Sequence, residues 1–194
     1  MPTGQPRDKP APKRADAQRN QELVLAAAAE VFSAAGVDAP VRQIADKAGL
    51  GIGTIYRHFP TRTDLVVAVY RHQVEACAEA GTSVLLDSDS PFAALREWVE
   101  QFVRFLATKH GLADMLQSDA AGFNSLHAYF LERLVPVCAQ LLDAAAAAGE
   151  IRPAIDAYEL MRGIGNLCIG AHDDQYDPSR LINLLLEGLR TLPR

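Results

Sequence analysis

The stretch Val41-Arg-Gln-Ile-Ala-Asp-Lys-Ala-Gly-Leu50-Gly-Ile-Gly-Thr-Ile-Tyr56-Arg-His-Phe-Pro60 constrains this chain more than any other. It reads as two short helices joined by a tight turn. Ile44 and Ala48 share one face of the first helix, and Ala45 is small enough to admit a second helix close by. Gly49 falls where the chain must reverse, a position that a residue without Cβ takes in the left-handed region at little cost. Leu50, Ile55 and Phe59 turn inward. Ile52, Gly53, Thr54, Tyr56, Arg57 and His58 are left outward, a narrow surface of hydroxyl, phenol, guanidinium and imidazole groups suited to a DNA major groove. An ordinary helical hairpin would share the period, so the argument rests on the particular residues.

Those residues carry a resemblance. Ile44-Ala45, Ala48-Gly49-Leu50, Gly53-Thr54-Ile55-Tyr56, His58-Phe59, Thr61-Arg62 and Asp64-Leu65, preceded by Ala27-Ala28, Val31-Phe32 and Gly36, resemble the TetR family of transcriptional regulators. The likeness is dense from about Gln18 to Tyr70. It implies that Tyr56 and His58 reach backbone phosphates and that Thr54 and Arg62 hold flanking ones. Arg42 and Arg57 are the candidates for base edges, because arginine pairs well with guanine. Gly53 would let the helix backbone approach the groove. The chain also departs from the pattern: Gly51 and Pro40 stand where capping hydroxyl residues are usual, and Ile52 replaces a commonly polar residue. Ile52 could pack on a thymine methyl instead, which puts the operator sequence out of reach.

Composition fits this reading. Of 194 residues 49% are hydrophobic but only 7% aromatic, which points to an Ala/Leu-built helical protein. No apolar run reaches the roughly 18 residues of a membrane span. Arg7, Lys9, Lys13 and Arg14 are followed by no signal-type apolar core. The three cysteines (Cys77, Cys138 and Cys168) are far apart and lie in helical patterns, which suits reduced thiols in a cytoplasmic protein. The net charge of −5 divides unevenly. Residues 1–62 hold nine Lys/Arg against six Asp/Glu, the remainder ten against eighteen, so the half with the two-helix motif is cationic.

The expected architecture is all-α: a three-helix DNA-binding head followed by a C-terminal bundle for ligand binding and dimerisation. Residues 1–15 read as a disordered basic arm, 16–62 as the head and 63–194 as the bundle. The first helix should start between Asp16 and Asn20, carry Leu23, Ala27 and Val31 with Ala28 and Phe32 beside them, and stop before Gly36. A long helix from about Arg62 to Val84 follows, opened by Thr61 and Asp64. Asp87-Ser-Asp-Ser-Pro91 breaks the chain. Phe92, Leu95, Trp98, Val99, Phe102 and Leu106 form one buried face. Leu126, Phe130, Leu134, Leu141 and Ala145 form the next, with Pro136 inside that helix. Asp156-x-x-Glu159 and Asp177-Pro178 open two more.

Ala107-Thr-Lys-His-Gly-Leu112 and Ala148-Gly-Glu-Ile-Arg152 are similar, more weakly, to the SbtR-like subgroup of such C-terminal domains. The resemblance implies a small-molecule pocket, and Trp98, Phe102, Met115, Phe123, His127, Phe130, Met161 and Asn166 are the candidate lining. The expected partners are a palindromic double-stranded DNA operator, an unknown small-molecule inducer and a second copy of the chain, with no membrane and no cofactor. The dimer face should be Ile164, Leu167 and Ala171 with Leu181, Leu184, Leu185 and Leu189, too much apolar surface for one small subunit to cover. His172-Asp173-Asp174 does not converge as metal ligands do. Gly163, Gly165 and Gly170 lack the strand context of a nucleotide loop. No nucleophile–base pair or metal spacing supports an enzyme. A helical enzyme or carrier using the C-terminal pocket, and a ligand-independent interaction protein, are the alternatives to a repressor.

Overall fold

The computed structural model describes residues 12–115, 120–169 and 176–191, apart from the side chains of 12–14, 107–115, 120, 121 and 123. Eight helices run through these residues: α1 (Pro12–Ala35), α2 (Val41–Ala48), α3 (Ile52–His58), α4 (Arg62–Asp87), α5 (Pro91–Met115), α6 (Ala120–Ala147), α7 (Ala157–Leu167) and α8 (Pro178–Glu187). An isolated antiparallel bridge joins Ile151 and Arg190. The chain divides into two compact units, residues 1–69 and 70–194. That division falls inside α4, seven residues beyond the boundary expected at Arg62. The first turns of α4 belong to the first unit because Leu65, Val66 and Val69 are buried there.

Local chemistry explains most helix ends. Gly36, Gly49 and Gly149 hold φ of +78°, +66° and +73°, the left-handed values that follow α1, α2 and α6. At Gly49 the amide closes on the carbonyl of Asp46 and the Leu50 amide on that of Ala45, which sharpens the turn into α3. Thr61 and Asp64 cap α4 reciprocally: Asp64 accepts from the Thr61 amide at 3.0 Å, and the Thr61 hydroxyl oxygen accepts from the Asp64 amide at 3.0 Å. Asp156 and Glu159 do the same for α7, and Asp177 accepts from the Ser179 amide at 2.9 Å ahead of Pro178. α2 and α3 have no side-chain cap, as Pro40 and Gly51 dictate. α1 begins four residues before Asp16.

In the first unit α1, α2 and α3 pack on one another around Val24, Ala28, Phe32, Ile44, Ile55 and Phe59. Val24 is fully buried, whereas Leu23, expected inside, is 44% exposed. The other expected members of the α1 stripe, Ala27, Ala28, Val31 and Phe32, are buried. In the second unit α5, α6 and α7 pack together, and the expected faces of α5 and α6 are all buried. Gly81 of α4 lets α6 approach, since a Cβ there would stand 2.1 Å from Val137 Cγ1. Pro136 lies within α6 and denies the Glu132 carbonyl its helical donor. The segments around α5 and α8 are tied by Glu150, which accepts from the Phe92 amide at 2.7 Å, and by Thr191, whose hydroxyl donates to Gly149 at 2.7 Å.

Candidate DNA-reading surface and bundle cavity

The short helix α3 buries Ile55 and turns its other side outward. Ile52, Gly53, Tyr56 and Arg57 are exposed, and Thr54 and His58 are half-buried. Tyr56 is 50% exposed. Arg42, one residue into α2, is also exposed. It lines with Ile52, Tyr56 and Thr61 a notch of about 350 Å3 closed by Ile55, Phe59 and Leu65. The arrangement sets a guanidinium, a phenol and an isoleucine side chain along one edge of the head. His58 lies elsewhere: it borders a groove with Gln18, Gln21 and Glu22 of α1, and its ring sits 6.2 Å from that of Phe59.

Arg62, expected at a flanking phosphate, borders the same notch and also makes contacts inside the head. Its Nη2 donates to the carbonyl oxygens of Val37 and Ala39, the latter at 2.6 Å, and its guanidinium carbon lies 5.3 Å over the Phe32 ring. Both acceptors belong to the α1–α2 connection, whose carbonyls have no helix to satisfy them. The side chain is half-buried and staples that connection to α4. The sequence signal, a basic residue at the start of a helix, is the same for either role. The fold adds the internal contacts, which no local signal in the sequence announces.

The second unit holds a cavity of about 290 Å3 among α5, α6 and α7. Five expected residues line it: Phe102, His127, Phe130, Met161 and Asn166. Trp98 does not. It is fully buried, donates from Nε1 to the Cys77 carbonyl at 2.9 Å and stacks on Phe102 at 5.5 Å, so it supports the floor from beneath. Met115 and Phe123 lie outside the described side chains. Phe102, Phe130 and His127 form a stacked series, with ring centroids 6.0 and 5.8 Å apart. Tyr158, Arg162 and Gly165 complete the α7 wall, and Leu106, Leu131 and Ile169 were also missed. The signal was available: positions 158, 162 and 166, with 161, 165 and 169, repeat at helical spacing beside the buried stripe.

The dimer candidates separate by burial. Ile164 is fully buried and Leu189 only 6% exposed, so both are filled by their own subunit and cannot form an outward face. Ile182 and Leu186 of α8 are buried as well, ahead of Leu189 just beyond the helix. Leu181 and Leu184 are exposed, the latter at 69%, while Leu167 and Leu185 are half-buried. Ala171 lies outside the described residues, as does His172-Asp173-Asp174. The cysteines are all buried, and burial pushes the Cys77 and Cys138 thiols up to about 12. Thiols so raised stay protonated and unreactive.

A small helical head with a helix-turn-helix, followed by a helical bundle, is the architecture of a class of helix-turn-helix transcriptional regulators. Residues 24–69 match the bacterial regulatory proteins of the tetR family, and residues 90–191 match the C-terminal domain of SbtR-like transcriptional regulators. The chain belongs to the TetR family. It is similar to a TetR transcriptional regulator from Streptomyces coelicolor, with 34% identity and a TM-score of 0.79 over 89% of this chain and 99% of that one. A TetR transcription regulatory protein from Mycobacterium vanbaalenii is 32% identical, with a TM-score of 0.71 over 93% of this chain and all of that one. An HTH-type transcriptional regulator of Staphylococcus aureus (strain USA300) is 27% identical over 117 residues, 60% of this chain. The match spans 62% of the length of that curated relative. Among the described residues no helix is long and apolar enough to cross a membrane.

Proposed function

We propose that the protein is a homodimeric DNA-binding transcriptional repressor, released from a palindromic operator by a small molecule in the α5–α7 cavity. The observation that carries this reading is the exposed edge of the head, where Arg42, Ile52, Tyr56 and Arg57 stand outward on a helix-turn-helix. The mechanism follows from the chemistry of these groups. The Tyr56 phenol donates to a backbone phosphate and fixes the register of α3 in the major groove. Arg42 and Arg57 read base edges, where a bidentate arginine is worth about 1–3 kcal/mol of discrimination. Ile52 packs on a thymine methyl. Two heads then read half-sites about 34–36 Å apart on one face of the duplex. The inducer acts by binding more tightly to dimers whose heads do not match that spacing, a shift in population.

Dimerisation through α7 and α8 is supported by the apolar residues these helices leave outside, Leu181 and Leu184 above all. Selection of bound sequences from a random duplex library tests the whole reading. A palindromic site should emerge, and mobility shift should show one dimer per site. Tyr56→Phe should then weaken every sequence alike, because phosphate contacts position without reading bases. Arg57→Ala should relax preference at particular base pairs. A wild-type protein that binds no duplex at micromolar concentration overturns the proposal.

A further inference from the structure

We infer that the cavity takes a small apolar anion, a carboxylate with an aromatic or short aliphatic body, whose charge is read by Arg162. The inference rests on the ligand-binding reading of that cavity and specifies its chemistry. Size comes first. About 290 Å3 has room for about ten water-sized groups, enough to bury an aromatic ring or a short aliphatic body. Polarity comes next. The floor is the stacked Phe102, Phe130 and His127 rings, which favour a flat or slender apolar body. The polar groups are gathered on one wall. Tyr158, Arg162 and Asn166 are spaced four apart on α7 and so stand in a row along the helix.

Each residue of that row carries a hydrogen-bond donor, a phenol, a guanidinium and an amide. Arg162 Nη1 donates to the Tyr158 phenol oxygen at 3.2 Å, which leaves the phenol proton and the other guanidinium N–H groups directed elsewhere. Among the described lining residues there is no Asp or Glu, so the formal charge that these residues bring to the cavity is that of the Arg162 guanidinium. A carboxylate at that wall accepts charge-assisted bonds from the guanidinium and the phenol, in the fork geometry that suits arginine. Arg162 and Asn166 are exposed, so the head group sits at the mouth and keeps part of its hydration while the body is buried.

Gly165 supplies an independent handle. It lines the cavity, and a Cβ built there meets no atom within 4 Å. Gly165→Leu should therefore fill the cavity without disturbing the fold. Calorimetric titration of the full chain with phenylacetate and phenylacetamide, equal in size and different in charge, is the experiment. The wild type should bind the anion roughly tenfold or more tightly than the amide, the scale of one charged hydrogen bond. Arg162→Met should abolish that preference while retaining the amide, and Gly165→Leu should lose both probes with its thermal melting intact. Equal binding by the wild type, or a preference surviving in Arg162→Met, overturns the anion inference and leaves the cavity as the ligand site. If the wild type binds neither probe, or Gly165→Leu binds as the wild type does, the cavity reading fails with it.

Discussion

Arg62 Nη2 donates to the carbonyl oxygen of Ala39 at 2.6 Å, spanning 23 positions of chain between α4 and the α1–α2 connection. With the second bond to Val37 and the Phe32 ring beneath, this one side chain holds three parts of the head in register. Arg62→Ala leaves two carbonyls without their donor, at a cost of about 1–3 kcal/mol each if water does not replace it. The head should melt earlier in urea. Arg62→Lys should recover little, because an ammonium has no planar fork and stacks less well on the ring. Unchanged stability with a DNA-binding salt slope lowered by about one unit would instead assign Arg62 to a phosphate.

Gly81 of α4 faces Val137 of α6. Alanine there gains about 1 kcal/mol of helix propensity but brings a methyl to 2.1 Å from Val137 Cγ1. The clash should dominate, costing about 1–3 kcal/mol. The double variant Gly81→Ala with Val137→Ala should recover most of the loss. A thermodynamic cycle of the four proteins measures the coupling, and additive effects would mean that the two positions do not touch.

Leu184 is the most exposed apolar residue of α8, at 69% of its surface. Glutamate there should leave the subunit fold intact and act only on association, where it would bury an uncompensated carboxylate near its symmetry mate. Sedimentation should show a folded monomer, and operator affinity should collapse. A Leu184→Glu dimer as tight as the wild type would place the interface elsewhere. Leu186→Glu should unfold the subunit instead, because that side chain faces its own core.

Glu75 of α4 is held by Arg133 of α6 through paired bonds of 2.8 and 2.6 Å, and Tyr129 donates to the same carboxylate. The Arg133 hydrogen bond is the largest cause of the lowering of the Glu75 pKa, and it outweighs the effect of burial. A carboxylate with a depressed folded pKa stabilises above its unfolded value and ceases to do so as the pH falls through the folded one. Glu75→Gln should therefore melt below the wild type at neutral pH, and the two curves should converge in acid, below the ordinary glutamate range. A difference that persisted undiminished at low pH would mean that the contact works by shape and not by charge.

Much of this protein was legible in its sequence because the signals act within a turn or two of chain. Gly36 and Gly49 stop helices through their own backbone freedom. Thr61 with Asp64 and Asp156 with Glu159 start them through reciprocal bonds three residues apart. The two-helix motif was legible for the same reason: its spacing fixes which side of α3 can be buried once Ile55 is inside. Tertiary structure decided what depends on elements distant in the chain. The partners of Arg62 lie 23 and 25 positions away, and the Glu150 carboxylate reaches the start of α5 across 58. The register of α8 was settled the same way. Its leucines occupy more than one face, and periodicity alone does not rank two apolar faces. Packing in the subunit buries Ile182, Leu186 and, just beyond the helix, Leu189, where the chain meets the α6–α7 connection at the Ile151–Arg190 bridge.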